Sequence, residues 1–160
     1  AVSIDGPDGT AGDEVDVSEP IRGDKVTSAV SAVSMVPQVR DQMVVLQRTE
    51  ATKAQEAGTG IVVEGRDITT VVLPEADLKI FITADPAVRA ARRAQQDQDR
   101  GESGVDVAQT EAALRVRDAK DSGRAASPLT QADDAVVVDT THLTLDQVVD
   151  KVIAMVQALA

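Results

Sequence analysis

Apolar and polar positions alternate along this chain with two distinct periods. Three short runs, GIVVEG (60–65), LKIFITA (78–84) and DAVVVDT (134–140), are almost continuously apolar and bounded by turn or charged residues, with TVVLP close behind the first. Unbroken runs of this length, as opposed to strict alternation, predict strands covered on both faces. A fourth strand-like run, Ala1-Val2-Ser3-Ile4, leads into the glycines Gly6, Gly9 and Gly12. Between the runs the period changes to that of a helix. Pro37 opens a pattern with Val39, Met43 and Leu46 at i, i+4 and i+7. Asp85-Pro86 reads as an N-cap followed by proline at the first helical position, starting an Ala- and Arg-rich helix. A further helix is expected over 107–122. The last begins at Thr144, which can form a capping box with Gln147. It sets Val148, Val149, Val152, Ile153, Val156 and Leu159 on one stripe.

Strands alternating with helices predict the α/β class, a parallel sheet core flanked by helices. Ligands of such sheets bind at the carboxyl ends of the strands. Glu64-Gly65-Arg66-Asp67 and Asp5-Gly6 fall at those ends. The pattern has one gap. No long apolar-stripe helix follows the glycines directly, and residues 12–23 (GDEVDVSEPIRG) read as a polar hairpin or loop.

Composition narrows the function classes. The 160 residues predict one domain whose core is aliphatic, because Phe81 is the single aromatic residue. A net charge of −11 argues against a nucleic-acid backbone or an anionic membrane as partner. A small phosphate ligand stays compatible with it, since a few convergent arginines can make a positive pocket. There is no cysteine and His142 is the only histidine, which removes disulfides, thiolate sites and the usual zinc sets. No apolar run reaches the roughly 18 residues of a membrane span, and no signal-peptide pattern appears, so the expectation is a soluble cytoplasmic protein.

The candidate chemistry lies in glycines and arginines. GPDGTA (6–11) reads as the first half of a phosphate-binding loop, but such a loop closes with a lysine and a hydroxyl residue. Here Gly12 is followed by Asp13, Glu14, Val15 and Asp16. A loop without its helix also lacks the N-terminal amides and dipole that hold a phosphate. LRVRDAKDSGR places Arg117, Asp121 and Arg124 at i, i+4 and i+7 on one helical face. Arg66-Asp67 follows a strand, Arg40 lies on the helix opened by Pro37, and Arg92 and Arg93 lie on the helix after LKIFITA. Guanidinium forks suit phosphate oxygens, and phosphoryl transfer depends on charge neutralisation and positioning. Each feature also has a structural reading. The Arg117–Asp121–Arg124 ladder fits a solvated salt-bridge face, Arg66-Asp67 a local ion pair, Ser31 and Ser34 helix packing, and His142 an exposed loop.

Taken together, the segments resemble the bacterial cytidylate kinase family, with a valine-rich flavour similar to its actinobacterial members. The resemblance runs in order through EPIRGDKVTSAVSAVSMVPQVR, LQR, VVEGRDITTVVLPEADLKIFITAD, RAARRAQQDQDRG, RVRDAKDSGRAASPLTQADDAVVVDTT and LTLDQVV. It implies the P-loop nucleoside monophosphate kinase fold: a five-stranded parallel sheet core, a lid (94–116) and a monophosphate-binding insert, of which 12–36 is a remnant. It implies phosphorylation of CMP and dCMP with ATP as donor and Mg2+ as cofactor, in a monomer that binds no nucleic acid and no membrane. By resemblance, Ser31, Arg40 and Asp67 serve the pyrimidine end, Arg66 the monophosphate and Asp121 the ribose hydroxyls, with Arg124 a further substrate-site arginine. Arg66, Arg117 and Arg124 are the implied charge-neutralising catalytic arginines, Gly6, Pro7, Asp8, Gly9 and Thr10 belong to the ATP phosphate loop, and Arg92 and Arg93 flank the lid and face ATP.

The sequence departs from the family where the loop should close. Its glycine-lysine-hydroxyl ending, the following helix and the next strand have no counterpart, and Asp13 stands near the lysine position. Glu64 stands where other members have Asp, and Thr69 where they have Gly. The reading is that Ala11 and Gly12 join two pieces of a longer protein, with the intervening segment absent. Two other functions remain in view: a nucleotide-binding domain without catalysis, and a kinase for another monophosphate such as UMP.

Overall fold

A computed structural model describes residues 3–5, 14–101, 104–123 and 129–159. The chain divides into two compact units, residues 1–50 and 51–160. In the first unit, β1 (Ser3–Asp5) pairs antiparallel with β2 (Glu14–Asp16), in the register Ser3 to Asp16, Ile4 to Val15 and Asp5 to Glu14. A short 3-10 turn over Pro20–Arg22 leads to α1 (Asp24–Val33), and α2 (Pro37–Glu56) begins at the expected proline. Of residues 12–23, read as a polar hairpin or loop, Glu14–Asp16 is one strand of a hairpin whose other strand is β1, outside that range. The opening strand differs from expectation, because it joins that hairpin and not the parallel sheet. The hairpin brings its partner from within a dozen residues, which costs little loop-closure entropy.

α2 ends at a glycine with φ of +67°, Gly58, a left-handed conformation that other residues adopt at a cost. The N–H groups of Gly58 and Thr59 donate back to the carbonyls of Gln55 and Ala54, closing the last turn.

The second unit is built on a parallel pair, β3 (Ile80–Thr83) and β4 (Val136–Asp139), in the register Ile80 to Val136 through Thr83 to Asp139. The architecture is mixed α/β with a parallel sheet, as predicted. α3 (Pro86–Asp99) starts two residues after β3, and the Asp85 carboxylate accepts from the Ala87 N–H at 2.8 Å. α4 (Val107–Ser122) starts with the same device, Asp106 accepting from Ala108 at 2.8 Å. α5 (Leu145–Gln157) carries the predicted capping box: Gln147 N–H donates to Thr144 Oγ1, and Thr144 N–H donates to Gln147 Oε1.

The buried apolar set among the described residues is small: Ile68, Val72, Ala90, Ala94 and Val138. Ala90, Ala94 and Asp97 form one buried stripe on α3, which packs against α4. Alanine at these positions lets two helix backbones approach closely.

The apolar run over 60–65 is not a strand. It is extended but irregular, and Val62 is 95% exposed. TVVLP is not a strand either: Ile68–Val72 forms one π-helical turn, in which the Leu73 N–H donates to the Ile68 carbonyl at 2.7 Å. A strand exists only against a partner, and among the described residues none lies beside either segment. The same lack of cover marks the parallel pair, where Ile82 and Val137 are exposed, and the α5 stripe, where Val149, Ile153, Val156 and Leu159 are exposed.

Candidate functional site

The first part of the site is a tight turn. Gly65 leads from the extended segment into Arg66, and a Cβ at Gly65 would lie 2.8 Å from the Ile68 side chain. The buried Ile68 packs over the glycine, and the Asp67 carbonyl accepts from the N–H groups of Val71 and Val72. This ties down both sides of Arg66, so its side chain leaves the turn in a set direction.

That side chain reaches α4. Arg66 Nε donates to Asp121 Oδ2 at 2.8 Å, and Arg66 Nη2 donates to Asp118 Oδ1. The other oxygen of Asp118 accepts from Arg89 Nη1 of α3 at 2.7 Å. Arg117 Nε lies 3.8 Å from Asp121 Oδ2, within ion-pair range. Three guanidinium groups and two carboxylates, from the turn, α3 and α4, thus form one cluster. Asp121 is only 4% exposed at its side chain, so it is no rung of a solvated ladder. Its own carbonyl accepts from the Leu129 N–H at 2.9 Å, tying Leu129 to the site.

Partial burial alone pushes the Asp118 carboxyl up. The hydrogen bonds and charges of Arg66 and Arg89 outweigh that and hold it below the usual carboxylate range. Asp118 is therefore ionised at neutral pH, and the guanidinium groups of the cluster outnumber its carboxylates by one.

The carboxyl end of the sheet is fixed separately. Arg92 Nη1 donates to Thr140 Oγ1 at 2.9 Å, and Arg92 Nη2 donates to the carbonyls of Thr140 at 2.7 Å and Leu143 at 3.0 Å. Thr140 is buried, and its N–H and hydroxyl both donate to the Thr83 carbonyl. Asp139 accepts from the N–H and hydroxyl of Thr141, which hold its carboxyl below the ordinary range. Arg93 bonds Asp97 one turn along its own helix at 3.0 Å.

Of the residues singled out from sequence, Arg66, Arg117 and Asp121 come together. Arg66 pairs with α4 and not with Asp67, which is half-buried at the start of the π turn. Arg92 and Arg93 sit at the places just given. Ser31 lies on α1 and Arg40 on α2, where Arg40 Nη1 donates to the Ser34 carbonyl at 3.4 Å. Gly6, Pro7, Asp8, Gly9, Thr10, the Ala11–Gly12 join and Arg124 lie outside the described residues. His142 is exposed in a turn.

Two members of the cluster, Asp118 and Arg89, were not anticipated. Asp118 stands three residues before Asp121, so a helix face carrying one carries the other. Arg89 is one turn beyond the Asp85 cap, where α3 is still close to the carboxyl end of β3.

A sequence profile described as cytidylate kinase matches residues 2–158. The chain belongs to the cytidylate kinase family. It is 57% identical over 146 residues to a cytidylate kinase of Streptomyces avermitilis, covering 91% of this chain and 59% of that protein. The cytidylate kinase of Streptomyces griseus is 56% identical over 145 residues, with 91% and 59% covered. That of Nocardia farcinica is 55% identical over 139 residues, with 87% and 58% covered. The chain thus spans about three-fifths of the length of the curated cytidylate kinases it matches, and these relatives are actinobacterial, as the valine-rich sequence implied.

Among the described residues no helix is long and apolar enough to cross a membrane, and no group of three or more His, Cys, Asp or Glu side chains could hold a metal ion.

Proposed function

We propose that the chain catalyses ATP-dependent phosphorylation of CMP and dCMP to their diphosphates. The observation that carries this reading is the cluster itself: Arg66 of the GRD sequence is held on α4 beside Arg117 and Asp121, residues that the family resemblance assigns to the phosphates and to the ribose. A CMP phosphate oxygen attacks the γ-phosphorus of ATP in line, the bond to the ADP oxygen breaks, and no covalent enzyme intermediate forms. Arg66, Arg117 and Arg124 neutralise the charge that spreads over the transferring group. Asp121 takes the ribose hydroxyls, and Ser31, Arg40 and Asp67 read the pyrimidine end. Gly6, Pro7, Asp8, Gly9 and Thr10 form part of the loop under the ATP phosphates, with Arg92 and Arg93 at the lid (94–116). Magnesium would arrive on the nucleotide phosphates and would supply positive charge there. The working form in this reading is a cytoplasmic monomer.

The reading includes the join between Ala11 and Gly12. Segments present in the longer relatives would complete the loop, place the next strand and cover the sheet. The exposed Ile82 and Val137 support this, because parallel sheets are ordinarily covered on both faces.

A coupled ADP-release assay with CMP, dCMP and UMP tests the proposal. CMP and dCMP are expected to support turnover well above UMP; a preference for UMP would overturn the substrate assignment. A second reading, nucleotide binding without transfer, is favoured by one observation: GPDGTAGD (6–13) contains no lysine. Binding of CMP and ATP without any ADP release would select it.

A further inference from the structure

We propose that Asp118 is a positioning residue for the phosphate site: its two oxygens hold Arg66 and Arg89 at once, so that α4 aims the Arg66 guanidinium and α3 braces the aim. The inference rests on the reading of Arg66 as the monophosphate ligand and adds two residues to it.

The geometry has three parts. Asp118 and Asp121, three residues apart on one face of α4, grip Arg66 at Nη2 and Nε. Two acceptors on neighbouring nitrogens fix the plane of a guanidinium, which one acceptor leaves free to swing. A guanidinium has five N–H donors, so two bonds of this kind still leave donors for a phosphate. The third part is Arg89. A lone carboxylate opposite an arginine tends to rotate and form a symmetric two-oxygen fork. Here Arg89 Nη1 holds Asp118 Oδ2 at 2.7 Å, which commits only Oδ1 to Arg66. Arg89 comes from the first turns of α3, whose start is fixed by the Asp85 cap and whose Ala90 and Ala94 are buried. The brace is therefore anchored in packed structure. Asp118 need not touch substrate to act this way.

Calorimetric titration of the chain with CMP and with cytidine tests the proposal, because the ratio of the two affinities isolates the phosphate. The unaltered chain is expected to bind CMP more tightly than cytidine. Asp118→Asn puts an amide N–H against one of two guanidinium groups and is expected to lower CMP affinity about tenfold, the loss of one charge-assisted bond, with cytidine affinity unchanged. Asp118→Glu, which restores the charge, is expected to recover part of the loss. Arg89→Gln keeps Asp118 but removes the brace, and its loss is expected to be smaller. An unchanged CMP-to-cytidine ratio in a folded Asp118→Asn chain overturns the proposal while leaving Arg66 as phosphate ligand. If Asp118→Asn melts below the assay temperature, Arg89→Gln decides: a lowered ratio supports the brace and an unchanged one overturns it. An unaltered chain that binds CMP no better than cytidine overturns the phosphate reading of Arg66, and the positioning role with it.

Discussion

Arg66 and Arg92 both belong to the second unit, and the regions around them hold a guanidinium by different means. Arg66 is held by carboxylates, Asp118 and Asp121, with Arg89 and Arg117 alongside. The bonds of Arg92 go to the carbonyls of Thr140 and Leu143 and to the Thr140 hydroxyl. Carboxylate and phosphate are both anionic oxygen acceptors, so the donors that face carboxylates around Arg66 are of the kind that also suits a phosphate. Carbonyl oxygens of a connecting segment have no such substitute. Replacing Arg92 would leave backbone acceptors unsatisfied next to the buried Thr140. The first region holds its guanidinium by ionic partners and the second by neutral ones. Identical side chains, one on α3 and one on the turn at Gly65, thus differ in what accepts from them.

Substitution of Arg66 is the most direct way to break this contrast. Arg66→Lys keeps a positive charge beside both carboxylates but loses the planar fork. Turnover of CMP is expected to fall on the order of 100-fold, with far-UV circular dichroism and melting temperature close to those of the unaltered chain. Steady-state ADP release measures the first and a thermal scan the second. An unchanged rate would place Arg66 among structural ion pairs. The converse experiment is Arg92→Met. It removes three hydrogen bonds, and the expected loss is about 2 kcal/mol of stability, visible as a drop of several degrees in melting temperature. A chain that keeps its melting temperature but loses ATP affinity would move Arg92 to the nucleotide side.

The helices of the second unit were legible because their signals are local. Asp85-Pro86 and the Thr144–Gln147 capping box fix their own helix starts within four residues, whatever the rest of the chain does. β3 and β4 were legible as apolar runs that find each other. The run over 60–65 has the same composition, yet strand formation depends on a neighbour that composition cannot specify. The site divides along the same line. Arg117 and Asp121 share a helix face by simple spacing, and the sequence places them together. Arg66 and Arg89 meet Asp118 across 52 and 29 residues of chain, distances over which periodicity carries no information. Position after an apolar run singled out Arg66 and helix spacing singled out Asp121; nothing in the pattern joined the two or supplied Asp118 and Arg89.

A smaller effect separates the site from the helix that closes the chain. Thr144→Ala removes the acceptor for the Gln147 N–H and half of the capping box. The expected cost is about 1 kcal/mol, measured by urea unfolding. CMP turnover per folded molecule is expected to stay constant, because the cap fixes α5 and not the arginine cluster. A turnover loss larger than the loss of folded protein would tie α5 to the site.

The smallest effect contrasts two carboxylates of lowered pKa in the second unit. Asp118 lies between Arg66 and Arg89, while Asp134 pairs with Lys79 at 2.5 Å, at the amino end of the strands, and is 66% exposed. Its lowering comes first from the Lys79 hydrogen bond, with burial opposing it. A carboxyl whose folded pKa lies below its unfolded value, about 3.9, contributes stability above that pH and loses it as pH falls through the folded value. Melting temperature is therefore expected to fall as pH drops from about 5 towards 3, with Asp118 contributing to the slope. Asp118→Asn is expected to flatten that slope. Asp134→Asn is expected to leave it unchanged within error, because water and salt screen an exposed pair. The same scan in high salt sharpens the distinction: any Asp134 contribution should vanish, while the partly buried Asp118 contribution persists. Equal slopes in the two variants would mean that shielding from solvent does not distinguish the cluster from an ordinary surface ion pair.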